Sequence, residues 1–222
     1  MNNVEKLDKE INSLLSEKEN ITLLQIGAND GIDYDPIHDI VMEKEKIFCY
    51  FVEPQKETFQ RLIENYRTIS KRSVFINNAI FEENNEVKLF KNDNGISAHS
   101  SLLLRTNRTT ENFNENSYEI VNGVTIETLL NENNISNIDV VVIDCEGYDC
   151  NIVKQILKTT ETPSVIFFES PHPQPNDDRL NVVMTGPDAL EDVISTLKEN
   201  FYKTEILTEG IMAIKYKDNN VH

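Results

Sequence analysis

The chain has little cysteine, few basic residues and no long apolar run, and each shortage removes a class of function. No stretch approaches the roughly 20 apolar residues needed to cross a bilayer, and the N-terminus is polar and charged, so neither a membrane span nor a secretory leader is expected. The three cysteines, Cys49, Cys145 and Cys150, are odd in number and lack a CxxC spacing. Zinc and dithiol chemistry are therefore set aside, and buried thiols in a reducing, cytoplasmic compartment fit best. Bases number 21 against 38 acids, a formal charge of −17. Such a surface repels phosphate backbones and anionic membranes, so neither nucleic acid nor membrane is expected as a partner. The only basic grouping, Lys71-Arg72 with Arg105 and Arg108, reads as solvated surface in preference to a nucleic-acid patch. No internal repeat is present, and the scattered Asn residues are compositional bias.

At 222 residues the chain suits one domain. Apolar residues at helical spacing in 4–18 predict an amphipathic helix, so residues 1–20 form a helix packed on a domain spanning 21–217, followed by a tail, 218–222. Strand-like runs at ITLLQI, IFCYFVE, SVFINNAI, IDVVVID and SVIFFES alternate with helical segments. The first of those helices has Pro36 in its opening turn and an apolar stripe of Ile37, Ile40 and Val41. Alternation of this kind predicts a parallel sheet covered by helices. Val140 to Ile143 is the strongest buried-strand signal, continuously apolar as a central parallel strand is. Thr125 is a plausible helix cap, and Glu209-Gly210 separates two final apolar runs that predict an antiparallel hairpin. Residues 92–122 show no period and read as an irregular insertion, a length of loop that is usually functional or disordered.

The chemistry-bearing residues lie at strand ends. ITLLQIGANDG runs a strand directly into a turn with Gly27 and Gly31, which let backbone approach a ligand, and with small Ala28 and Asn29 between them. Glu53 closes the next strand, where a carboxylate accepts from two ribose hydroxyls. Each feature has a plainer reading: a tight turn without ligand, and a helix-start charge before Pro54.

QIGANDG, FVEP, NNAIF and IDCEGYD, in this order, resemble the FkbM-like branch of class I S-adenosylmethionine-dependent methyltransferases over roughly residues 21–170. The resemblance implies an α/β, Rossmann-like fold: a doubly wound, mostly parallel seven-stranded sheet whose last strand is antiparallel. It implies S-adenosylmethionine as cofactor and a hydroxyl on a sugar, glycan or related small metabolite as acceptor. It places the adenine at Asn78 and Ala79, which otherwise form an ordinary turn, and functional acids at Asp144 and Glu146, where Asp144 otherwise caps a helix. One departure is Gln25, at a position where the superfamily often carries an acid for the cofactor's amino-acid end. Asp30 or Asp144 is the expected substitute for that charge. Asp144, Glu146, His99 and His172 are the candidates for proton removal or acceptor contact, a lone loop histidine being more often a surface residue. Asp144, Glu146, Glu169 and His172 also have the chemistry of a divalent-metal site, which spacing alone leaves unassigned. Two alternatives stand beside this reading. One is a nicotinamide-dependent oxidoreductase, disfavoured because GANDG lacks the G-x-G-x-x-G spacing. The other is a catalytically silent fold used as a binding module.

Overall fold

A computed structural model describes residues 2–92, 100–102, 113–169, 190–208 and 210–216. Seven strands form the main sheet: β1 (Ile21–Ile26), β2 (Ile47–Val52), β3 (Ser73–Ile76), β7 (Val140–Ile143), β8 (Val165–Glu169), β9 (Tyr202–Ile206) and β10 (Gly210–Lys215). Their order across the sheet is β3-β2-β1-β7-β8-β10-β9. Only β10 runs against its neighbours, pairing antiparallel with both β8 and β9. Expected sheet and C-terminal hairpin are both present.

The sheet is apolar on both faces because helices cover both. Leu23, Val140, Val142, Val165 and Phe167 face one layer, and Leu24, Ile26, Val141, Ile143, Ile166 and Phe168 face the other. The first layer holds α1 (Asn3–Glu17), α2 (His38–Glu43) and α3 (Lys56–Asn65). The second holds α4 (Ile126–Glu132), α5 (Asp149–Ile156) and α6 (Leu190–Glu199). Leu7, Ile11 and Leu14 of α1 are buried in the first layer, as the period of 4–18 predicted. At about 2 kcal/mol for each fully buried aliphatic side chain, that helix is part of the core. Asn2 and Glu5 start it with a reciprocal capping box. Thr125 caps α4 by accepting from the Thr128 backbone N–H, as expected.

Three expectations are corrected. The first helix after β1 begins at His38, with Ile37 as its cap and Pro36 outside it. The backbone is diverted there because the Asp35 carboxylate accepts from the Ile37 N–H at 2.9 Å, a local turn that competes with the helix. SVFINNAI is two strands, because Asn77 turns out of line and donates from Nδ2 to the carbonyls of Glu53 (2.8 Å) and Pro54 (3.0 Å). Ile80 and Ala79 then form β4 (Ala79–Ile80) in a second sheet, ordered β4-β6-β5. The third correction concerns the 92–122 insertion, whose last ten residues belong to β6 (Phe113–Val124), paired antiparallel with β5 (Asn85–Asn92). Its pattern is inverted: Tyr118 and Ile120 are exposed while Ser117 and Glu119 are half-buried, so alternation does not point to a core face. The Asn181–Met184 segment lies outside the described residues.

Asp139, just before β7, ties the sheet to the helix layer. Its buried carboxylate accepts from the Thr22 N–H at 2.8 Å and pairs with Lys18 at the end of α1. Asp139→Ala leaves that N–H without its partner and is expected to lower unfolding free energy by about 1–3 kcal/mol, measured by urea denaturation.

Candidate active site

A cavity of about 510 Å³ opens at the carboxyl ends of β1, β2, β7 and β8. Its floor is the turn after β1. Gly27 has φ +81°, and a Cβ there would sit 1.9 Å from the Asp144 carbonyl oxygen, so no other residue fits this approach of two strand ends. The Gly27 and Ala28 N–H groups both donate to the Val52 carbonyl, at 2.9 and 3.0 Å, and the Asp144 N–H donates to Ile26 at 3.0 Å. Three strand ends are thereby locked together beneath the cavity.

Glu53 stands just past β2 and is 4 % exposed. One carboxylate oxygen accepts from the Asn29 N–H at 3.0 Å and the other from the Gln55 N–H at 2.8 Å. Burial pushes its pKa up to about 7 against those two hydrogen bonds. Gln25, Gly27, Ala28, Asn29, Asn78, Ala79, Asp144 and Glu146 line the same cavity. Asn78 also donates from Nδ2 to the Asn122 carbonyl at 3.4 Å, which ties it to β6.

Asp30 and Gly31 are not among the lining residues. Asp30 Oδ1 accepts from the N–H groups of Ile32 (3.0 Å) and Asp33 (2.9 Å), so this oxygen shapes the loop. Gly31 has φ +78°, and a Cβ there would press on the Tyr66 ring at 2.5 Å. Its role is packing. His99 and His172 lie outside the described residues.

At the ends of β7 and β8, one oxygen from each of Asp144, Glu146 and Glu169 lies within 4.8 Å of the others. Burial is the main cause that raises the Asp144 pKa, followed by the charge of Glu169, and a side-chain hydrogen bond to Glu169 adds to it. The Asp144 and Glu169 carboxyl groups are thus hydrogen-bonded to one another. No metal is assigned to the trio. Cys145, between the two acids, has its thiol raised by burial, so thiolate chemistry is suppressed.

Sequence reading missed two carboxylates. Asp149, 2 % exposed, accepts from the Cys145 N–H (3.2 Å) and the Gly147 N–H (3.0 Å), holding the turn in which Glu146 adopts φ +50°. Burial raises its pKa to about 6. Asp35 lines the cavity beside Gln25 and accepts from Gln25 Nε2 at 3.1 Å and from the Tyr66 hydroxyl at 2.7 Å. Its only sequence signal was the Asp-Pro step at 35–36, which marks a turn.

Polar groups in the cavity await partners. Gln25 Oε1, Asn29 Oδ1 and Ser100 Oγ are buried and accept or donate no hydrogen bond among the described residues, and all three residues line the wall. A buried orphan of this kind costs about 1–3 kcal/mol, which a polar ligand recovers. The donor and acceptor set fits a nucleoside-bearing ligand with hydroxyl and cationic groups.

A seven-stranded α/β sheet of this order, with a glycine turn and acids at successive strand ends, defines a cofactor-binding domain of the Rossmann-like class. The methyltransferase FkbM domain matches residues 25–204, and the chain belongs to that family of S-adenosylmethionine-dependent methyltransferases. No match was found among curated proteins. Solved structures with a similar fold include monomeric WbdD, 7% identical, with a TM-score of 0.54 over 96% of this chain and 40% of WbdD. A Staphylococcus aureus protein assigned as a caffeoyl-CoA O-methyltransferase is 12% identical, with a TM-score of 0.51 over 95% of this chain and 83% of that one. The family membership removes the nicotinamide alternative. No described helix is long and apolar enough to cross a membrane.

Glu53 and Asp149 make an unliganded site costly above neutral pH. Their ordinary pKa values are 4.5 and 3.8, against about 7 and about 6 when folded. Between these limits the folded protein binds more protons than the unfolded chain, so stability falls as pH rises from about 4 to 7. We expect the melting temperature of the ligand-free protein to decrease across that window; a rise would mean these carboxylates gain cationic partners on folding.

Proposed function

We propose that this protein transfers a methyl group from S-adenosylmethionine to a hydroxyl of a sugar, glycan or related small metabolite. The observation that carries the reading is one cavity holding the Gly27 turn, the buried Glu53 carboxylate and the Asp144–Glu146 pair at three adjacent strand ends. The cofactor supplies an electrophilic methyl on a sulfonium. Each Glu53 oxygen already accepts one backbone N–H and keeps lone-pair capacity for the two ribose hydroxyls. Asn78 and Ala79 stand beyond β3, where an amide meets the adenine edge and a methyl side chain leaves it room.

Transfer to oxygen requires an aligned acceptor and a group that takes its proton as the new C–O bond forms. Asp144 and Glu146 are proposed for proton uptake and acceptor contact, because burial and neighbouring charge raise the Asp144 pKa and so make it a better proton acceptor than an ordinary carboxylate. His99 and His172 are proposed for the same acceptor side. The free thiols Cys49, Cys145 and Cys150 support work in a reducing cytoplasm. The acidic surface supports a small-molecule or glycan acceptor over nucleic acid or membrane.

Calorimetric titration with S-adenosylhomocysteine is expected to give micromolar binding, with NADH giving none. Glu53→Ala should weaken that binding at least about tenfold, as loss of charge-assisted hydrogen bonds does. Tight binding of the thioether without transfer of labelled methyl into any hydroxylated acceptor would favour a silent binding module. Undiminished binding by Glu53→Ala would remove its ribose role.

A further inference from the structure

The cavity wall is one-sided in charge. Asp33, Asp35, Glu53, Asp144, Glu146 and Glu169 line it, and no Lys, Arg or His does among the described residues. Asp35 is the most telling of these acids. It is partly buried, burial raises its pKa, and three neutral donors hold it: the Tyr66 hydroxyl, the Ile37 N–H and Gln25 Nε2. His38 is turned to the Gly31 carbonyl and stacks on Tyr66, and its charge only partly opposes the rise in the Asp35 pKa. Next to Asp35 sits Gln25, 1 % exposed. Only the NH₂ end of its amide can face a carboxylate, so Asp35 fixes the amide's orientation and leaves Oε1 as the orphan acceptor. A carboxylate held by neutral donors and an unfilled carbonyl oxygen, side by side on a wall that has no Lys, Arg or His among the described residues, form a receptor for a cation that also donates hydrogen bonds.

Resting on the methyltransferase reading above, we propose that Gln25 and Asp35 together bind the α-ammonium of the cofactor's amino-acid end. Gln25 lies on β1, between the strand that leads to Glu53 and the strand that leads to Asp144, so a ligand whose ribose meets Glu53 and whose reacting carbon points to the Asp144–Glu146 acids passes over it. An ammonium carries three donors, enough to satisfy Oε1 and a carboxylate oxygen at once. The charge that the chain lacks at position 25 is thus supplied ten residues later, from the far end of the loop.

S-Adenosylhomocysteine separates this site from the sulfonium site, because its only cation is the α-ammonium. The test is calorimetry on the full chain with three ligands: S-adenosylhomocysteine, its desamino analogue, and 5′-methylthioadenosine, which lacks the amino-acid end. The native protein should prefer the first over the second by at least about tenfold, the size of a charge-assisted hydrogen bond. Asp35→Asn should shrink that preference to within about threefold and leave methylthioadenosine affinity unchanged. Should Asp35→Asn misfold for want of its loop contacts, Gln25→Met carries the test, with the preference expected to fall at least about threefold. A preference preserved in both variants would overturn the proposal and move the ammonium elsewhere, Asp144 first. Equal loss of S-adenosylhomocysteine and methylthioadenosine in Asp35→Asn would overturn it too, leaving Asp35 a loop support. If the native protein binds none of the three ligands, the cofactor reading itself falls; the ammonium assignment fails alone when methylthioadenosine and S-adenosylhomocysteine both bind normally to every variant.

Discussion

Everything at the site depends on how closely β1 and β7 end against each other. With no room for a Cβ between Gly27 and the Asp144 carbonyl, the floor of the cavity is bare backbone. The carbonyls of Ile26 and Val52 are taken up by the amides of Asp144, Gly27 and Ala28. These bonds fix the strand ends relative to one another, so Glu53 beyond β2 and Asp144 beyond β7 stand at a set separation. Rigid placement matters more for group transfer than any single strong contact, because alignment of reactants supplies much of the rate.

Carboxylates crowd a region from which water is largely excluded, and the protein meets their cost in two ways. Asp149, Glu53 and Asp35 accept backbone N–H groups, which favours the charged form, while Asp144 and Glu169 are hydrogen-bonded to one another. The remaining imbalance is a store of electrostatic strain that a cationic ligand relieves. Local preorganisation of this kind is distinct from the overall charge of −17, which acts at longer range and is screened by salt.

The sheet was legible in the sequence because short β-branched and apolar runs such as Val140–Ile143 and Ile21–Ile26 alternate with amphipathic helical segments. Gly27, Glu53, Asp144 and Glu146 were legible because strand ends concentrate chemistry in such folds. Strand β6 was hidden, since Tyr118 and Ile120 face outward and no hydrophobic face marks its register. Asp35 was hidden for a different reason: its importance comes from contacts with Gln25 and Tyr66, 10 and 31 residues away, which no local pattern encodes. Asp30 lay inside the motif, and its loop-shaping contacts with the Ile32 and Asp33 amides were not apparent from the sequence.

Insertion of β10 between β8 and β9 has a consequence for the growing chain. Strand β8 keeps one row of backbone groups unpaired until residues 210–215 arrive, although the other four parallel strands that precede it in the sheet order can already associate. During synthesis the nascent domain therefore carries an open, apolar edge at Val165–Glu169 beside the forming site. An edge of that kind pairs readily with foreign strands, and it is sealed only when the hairpin folds back into the gap.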